Sequence, residues 1–258
     1  MPTAITENGR DIDMDSPAPS TSLRRRPLTS RQERKLVDYL DERMLDLTRN
    51  YKKRSEETST LKTLPAYLEA VRRLLALILQ IPPIDPSTGL RIAYLLHLTG
   101  DVLSSIPGYT LGTDNNVIQQ TLQDLIDFLD DLDQAWLSVL QGQIWDPERG
   151  EGVDLIVPVE EATTLKSSPP SQTDLTRLRS LLFAGQSALE EWLSAKQVEN
   201  DAQATQADDV DDVSGMLSRL GLLHEFDGLF SQTLDYLGGF GESVSRNILN
   251  PQEEGVME

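Results

Sequence analysis

The chain has 258 residues and sets 42 Asp and Glu against 23 Lys and Arg, a formal net charge of −19. It holds no cysteine and only two histidines, His97 and His224. Thiolate zinc sites, disulfide frameworks, cysteine nucleophiles and iron–sulfur clusters are therefore excluded, and the two imidazoles are too distant in sequence to share a helix face.

Residues 1–27 read as a disordered arm. They are polar, with a Pro/Ser/Thr cluster before Arg24, Arg25 and Arg26, and without the apolar stretch of a signal peptide. Thr29 and Ser30 can both cap a helix start, and Glu33 stands at the capping-box offset from Ser30. The first helix is expected from there to about Arg54, with Val37, Leu40, Met44, Leu47 and Tyr51 on one stripe.

A second helix is expected from Leu64 to Ile81, with Pro65 in its first turn and Pro82–Pro83 ending it. Leu68, Val71, Leu75 and Ile78 form its stripe, widened by Leu74, Leu77 and Ile81. A helix this apolar is expected at the centre of a bundle. A third helix starts at Asp85 or Ser87 and runs to about Ser105, closed by Pro107 and Gly108.

The fourth helix, about Asp114 to Gln143, has the most regular pattern. Ile118, Leu122, Leu125, Leu129, Leu132, Trp136 and Val139 alternate at four and three residues, which is a heptad seam. Asp124, Asp127, Asp130, Asp131 and Asp133 punctuate it, and the helix carries no Lys or Arg. These five aspartates are read as a solvated acidic face and as the candidate interaction face for a basic partner.

Residues 146–172 read as an irregular linker, with an edge strand at most in Asp154–Glu160 because Pro158 interrupts it. A fifth helix over 173–196 carries Leu175, Leu178, Leu182, Gly185, Leu189 and Trp192 and is expected to pack on the core formed by 28–145. Residues 197–212 read as an acidic disordered linker. A C-terminal helical segment follows over 213–250, weakened by Gly215, Gly221 and Gly228, and 251–258 is a polar tail. The predicted fold is thus all-α, a bundle of about five to six helices with disordered ends and an acidic linker.

The acidity has an address. Residues 1–110 hold 16 basic and 14 acidic residues, and residues 111–258 hold 7 and 28, or −21. Such a field repels nucleic acid and anionic lipid and attracts basic partners. The longest apolar run, Leu74–Leu79, falls far short of the ~20 residues of a membrane span.

No motif carries catalysis. Gly238-Gly-Phe-Gly241 follows no buried strand and lacks the Lys of a phosphate-binding loop. Ser187 lies within a helix and outside a nucleophile elbow. His97 has no positioned acid in sequence and reads as a partly buried structural residue; His224 reads as a surface residue. The helix-four aspartates come near the D-D-x-x-D pattern of magnesium-dependent helical enzymes, but no basic residues stand by to grip a diphosphate. Neither metal nor cofactor is expected.

Arg24–Arg26 is a candidate nuclear-localisation cluster. Ser16–Pro17 and Ser168–Pro169 are minimal proline-directed phosphorylation contexts. The expected function is a non-enzymatic interaction protein (adaptor, assembly factor or complex subunit) in the cytoplasm or nucleus. It binds a protein partner of basic character, without nucleic acid or membrane, and a homo-oligomer is not indicated. The alternatives are an acidic nuclear regulator of transcription or chromatin and, further off, an Asp-rich magnesium enzyme.

Overall fold

The computed structural model describes residues 26–112, 114–155, 166–201, 217–218 and 221–238. It is a helical bundle: α1 (Ser30–Lys52), α2 (Leu64–Leu79), α3 (Ser87–Ser105), a 3-10 turn (Ile106–Gly108), α4 (Asn115–Leu140), α5 (Gln172–Asp201) and α6 (Leu223–Asp227). A last helical run, α7, covers residues 231–238. No helix among the described residues is long and apolar enough to cross a membrane.

Local chemistry starts the helices close to where the sequence places them. The cap of α1 is Thr29, one residue before the expected Ser30. Its hydroxyl accepts from the Gln32 N–H, and Gln32 closes the box by accepting the Thr29 N–H at 3.0 Å. Glutamine serves the box as well as glutamate, because its carbonyl oxygen reaches back to the same orphan donor. Thr63 caps α2 ahead of Pro65, and Asp114 caps α4.

The centre of the bundle is α3 rather than α2. It packs against α1, α2, α4 and α5, whereas α2 packs against α1, α3 and α4. Small residues permit this. An added Cβ on Gly185 would lie 2.6 Å from Leu103 Cδ1, and one on Gly100 would meet Leu181. So α5 lies close against α3 along a line of leucines and glycines.

Several buried polar groups find partners inside the bundle. The Trp136 indole N–H donates to Thr99 Oγ1 at 2.9 Å, and the Thr99 hydroxyl donates to the Leu95 carbonyl. Trp192 Nε1 donates to the Tyr109 carbonyl at 3.0 Å. Arg91, 1% exposed, donates to the Gln143 carbonyl just beyond the end of α4. Such satisfaction is needed because a buried donor left without an acceptor costs about 1–3 kcal/mol.

Three features depart from the expected layout. Residues expected to be irregular form an antiparallel hairpin, β1 (Ile144–Asp146) and β2 (Glu151–Val153). Asp146 nucleates its loop by accepting the Glu148 N–H, and Gly150 takes φ +70°. That angle favours glycine. The hairpin packs on α4 and straddles the expected boundary at 145/146.

Helix α5 continues to Asp201, five residues into the stretch read as a disordered linker. The C-terminal segment is not one helix but is divided where its glycines fall, at Gly221 (φ +75°) and at Gly228 after α6. Residues 1–25 of the expected arm, 156–160 of the expected strand, 202–212 of the linker, 213–216, 219–220 and 239–250 of the C-terminal segment, and the tail at 251–258 lie outside the described residues.

Candidate functional site

All seven residues of the heptad seam, Ile118, Leu122, Leu125, Leu129, Leu132, Trp136 and Val139, are buried within the chain's own core. The seam is wider than the heptad implies: Thr121, Ile126, Phe128, Ala135 and Ser138 are buried too. Helix α4 thus presents only a narrow strip to solvent.

The five aspartates do not form one face. Asp127 and Asp130 are exposed, and Asp124 and Asp131 are half-buried. Asp133 is 2% exposed and turns into the core, so its place on an interaction face is overturned. The reason is its position, four residues after Leu129 and three before Trp136, which is a core position of the stripe. Its oxygens accept the N–H groups of Gln232 (3.2 Å) and Thr233 (3.0 Å), and the Thr233 hydroxyl donates to the Asp133 carbonyl.

Those two amides are orphan donors in the first turn of α7. The residue before the helix, Phe230, has φ +58° and no side-chain acceptor. Asp133 supplies the cap from another helix. Burial pushes its carboxyl above the ordinary range, while the Thr233 hydroxyl and the two amides pull it back.

Arg72 of α2 answers part of the acidity. It donates to the Asp124 carbonyl at 3.0 Å, comes 3.6 Å from Asp131 and lies over the Phe128 ring. Burial raises the Asp131 carboxyl, Arg72 lowers it, and Asp130 and Asp127 raise it again. The near-D-D-x-D arrangement therefore points three ways: Asp130 to solvent, Asp131 to Arg72, Asp133 to α7. No group of three or more metal-ligating side chains converges among the described residues.

What remains forms a groove between α4 and α6, with a volume of about 540 Å³. Asp127, Asp130, Asp131 and Glu225 line it together with Gln123 and His224, and Ile126, Leu229 and Phe230 give it an apolar floor. Gln123 bridges its two walls by donating to Asp127 (2.9 Å) and Glu225 (3.3 Å). Glu225 was absent from the sequence-derived face, since nothing local ties it to α4 across 102 residues.

The remaining candidates stand apart. His97 is exposed, not partly buried, and lies 3.6 Å from Asp101 one turn on. It falls on an outer position of α3 between two buried leucines. His224 is exposed on α6. Arg26 is exposed, and Arg24 and Arg25 lie outside the described residues. Ser187 is an exposed mid-helix residue of α5.

No protein-family model matches this chain, and no curated protein or solved structure matches it either.

Proposed function

We propose that this chain is a non-enzymatic helical interaction protein, an adaptor, assembly factor or complex subunit, that docks a basic segment of a partner protein in the groove between α4 and α6. The observation that carries this reading is the lining of the groove: four carboxylates around an apolar floor, with no Lys or Arg among them. Arg72 offsets one of the four, Asp131. Asp127, Asp130 and Glu225 are exposed for a partner.

A lysine or arginine side chain suits such a site twice over. Its charged head pairs with the rim, and its methylene stem lies along Ile126, Leu229 and Phe230. The charge of −21 over residues 111–258 adds a field that draws cationic partners from a distance.

The test is calorimetric titration of the full chain with an Arg/Lys-rich peptide at several salt concentrations. Binding should weaken steeply with salt, because attraction between exposed charges is screened. The triple variant Asp127→Asn, Asp130→Asn, Glu225→Gln should lose roughly tenfold in affinity, about three exposed pairs' worth. Undiminished binding by that variant, or in molar salt, would sink the reading. Mass spectrometry of what co-purifies with the tagged protein then identifies the partner.

A further inference from the structure

Residues 166–171 cross the start of α3 without regular secondary structure and lead into α5. One side chain ties this strap to the body of the bundle. The Asp85 carboxylate accepts the Ser168 hydroxyl at 2.6 Å and the Ser168 N–H at 3.3 Å. The Asp85 N–H in turn donates to the Lys166 carbonyl at 2.8 Å. Just downstream, Ser171 and Asp174 cap α5 through reciprocal hydrogen bonds.

Ser168 is nonetheless exposed, as are Lys166, Ser167 and Pro169 around it. It is followed by Pro169, making one of the two Ser–Pro dipeptides in the chain, the other being Ser16–Pro17. An exposed serine in a non-helical segment, with proline next to it, presents the extended shape that a kinase cleft accepts. A residue before proline is also disfavoured from turning helical.

We propose that Ser168 is a phosphorylation site for a proline-directed serine/threonine kinase, and that the phosphate releases residues 166–171 from Asp85. In the transfer, Ser168 Oγ bonds to the γ-phosphorus of magnesium-bound ATP. The bond from that phosphorus to the β–γ bridging oxygen breaks, ADP leaves with the electron pair, and the hydroxyl proton passes to the kinase's carboxylate base.

The product reverses the electrostatics of the latch. A donor hydroxyl becomes a group of about −1.5 to −2 charge with acceptor oxygens only, set against a carboxylate. The Asp85 carboxyl is held below its ordinary range, chiefly by the Ser168 hydroxyl, so it is ionised at neutral pH and repels the phosphate. Lys166 is the cation beside the pair, and one lysine offsets at most one of these charges.

The latch also restrains the reaction, because the hydroxyl must leave Asp85 to enter a kinase cleft. Removing the acceptor with Asp85→Ala should therefore speed phosphorylation.

The experiment treats the full chain with a proline-directed kinase and magnesium-ATP, maps phosphate by mass spectrometry and follows amide hydrogen exchange. Phosphate is expected on Ser168, lost in Ser168→Ala and added faster in Asp85→Ala. In the phosphorylated chain the Asp85 and Ser168 amides should exchange roughly tenfold faster or more, since the Ser168 N–H loses the Asp85 carboxylate and the Asp85 N–H loses the Lys166 carbonyl. Amides around Leu129 should keep their protection. Phosphate confined to Ser16 in both wild type and Asp85→Ala would overturn the proposal. So would phosphate on Ser168 with unchanged exchange at Asp85.

Discussion

Asp133 Oδ1 on α4 accepts the backbone N–H of Thr233 at 3.0 Å, across 100 residues of chain. A side chain in the core of one helix thereby serves as the N-cap of another. One of the five aspartates read as surface charge is thus a fastening for the C-terminal segment, aided by Gln186 donating to the Leu229 carbonyl and Tyr236 to that of Leu140.

Replacing Asp133 by Ala should cost about 2–3 kcal/mol, because two amides of α7 lose their acceptor inside the core. Urea denaturation measures the loss, and hydrogen exchange over residues 231–238 locates it. Asp133→Asn should cost less, since the amide oxygen retains acceptor capacity. An Asp133→Ala protein as stable as wild type, with unchanged exchange over α7, would refute the capping role.

Stability should rise as the solution is made mildly acidic. Burial raises the carboxyls of Asp101, Asp131 and Asp133, with the His97 charge opposing it at Asp101 and Arg72 at Asp131. A group raised in the folded state binds more protons there than in the unfolded chain. Its contribution is therefore present below the unfolded value, near ~4, and is lost as pH rises through the folded one.

Asp85 is lowered and acts oppositely, its contribution vanishing as pH falls below the ordinary carboxylate range. Between pH 7 and about 5 Asp85 is ionised in both states, so the raised groups set the slope there, and relief of the −19 net charge acts in the same sense. Tm should climb from pH 7 to about pH 5 and turn over below ~4. Asp131→Asn should flatten the climb; a Tm that falls steadily from pH 7 to 5 would contradict the assignment.

Gly185→Ala should destabilise by about 1–3 kcal/mol through overpacking, because Leu103 occupies the space of the new methyl group. Leu103→Ala alone should cost about 2–5 kcal/mol by leaving a cavity. The double variant should cost less than the sum of the two, as each change offsets the other. Denaturant melts of the four proteins give the coupling energy, and strict additivity would argue against the contact.

The sequence by itself determined the helices and much of the core. Periodic leucines, Thr29 at a cap, Pro65 and the Pro82–Pro83 stop act over three or four residues, so they can be read in order along the chain. The heptad positions of α4 are legible for the same reason: a stripe of that regularity must be covered. Asp133 was legible too, as an acid standing on an apolar stripe, but its charge spoke louder than its spacing.

Tertiary structure decided the rest, because it depends on pairs distant in sequence. Gln123 with Glu225 closes the acidic groove, Arg72 takes Asp131 out of it, and Ser168 finds Asp85 across 83 residues. Helix α5 can lie close on α3 because Gly185 leaves room for Leu103, a matter of shape rather than hydrophobicity. Charge composition gives the sign of a surface. Only the fold assigns each carboxylate to solvent, to an arginine or to the end of another helix.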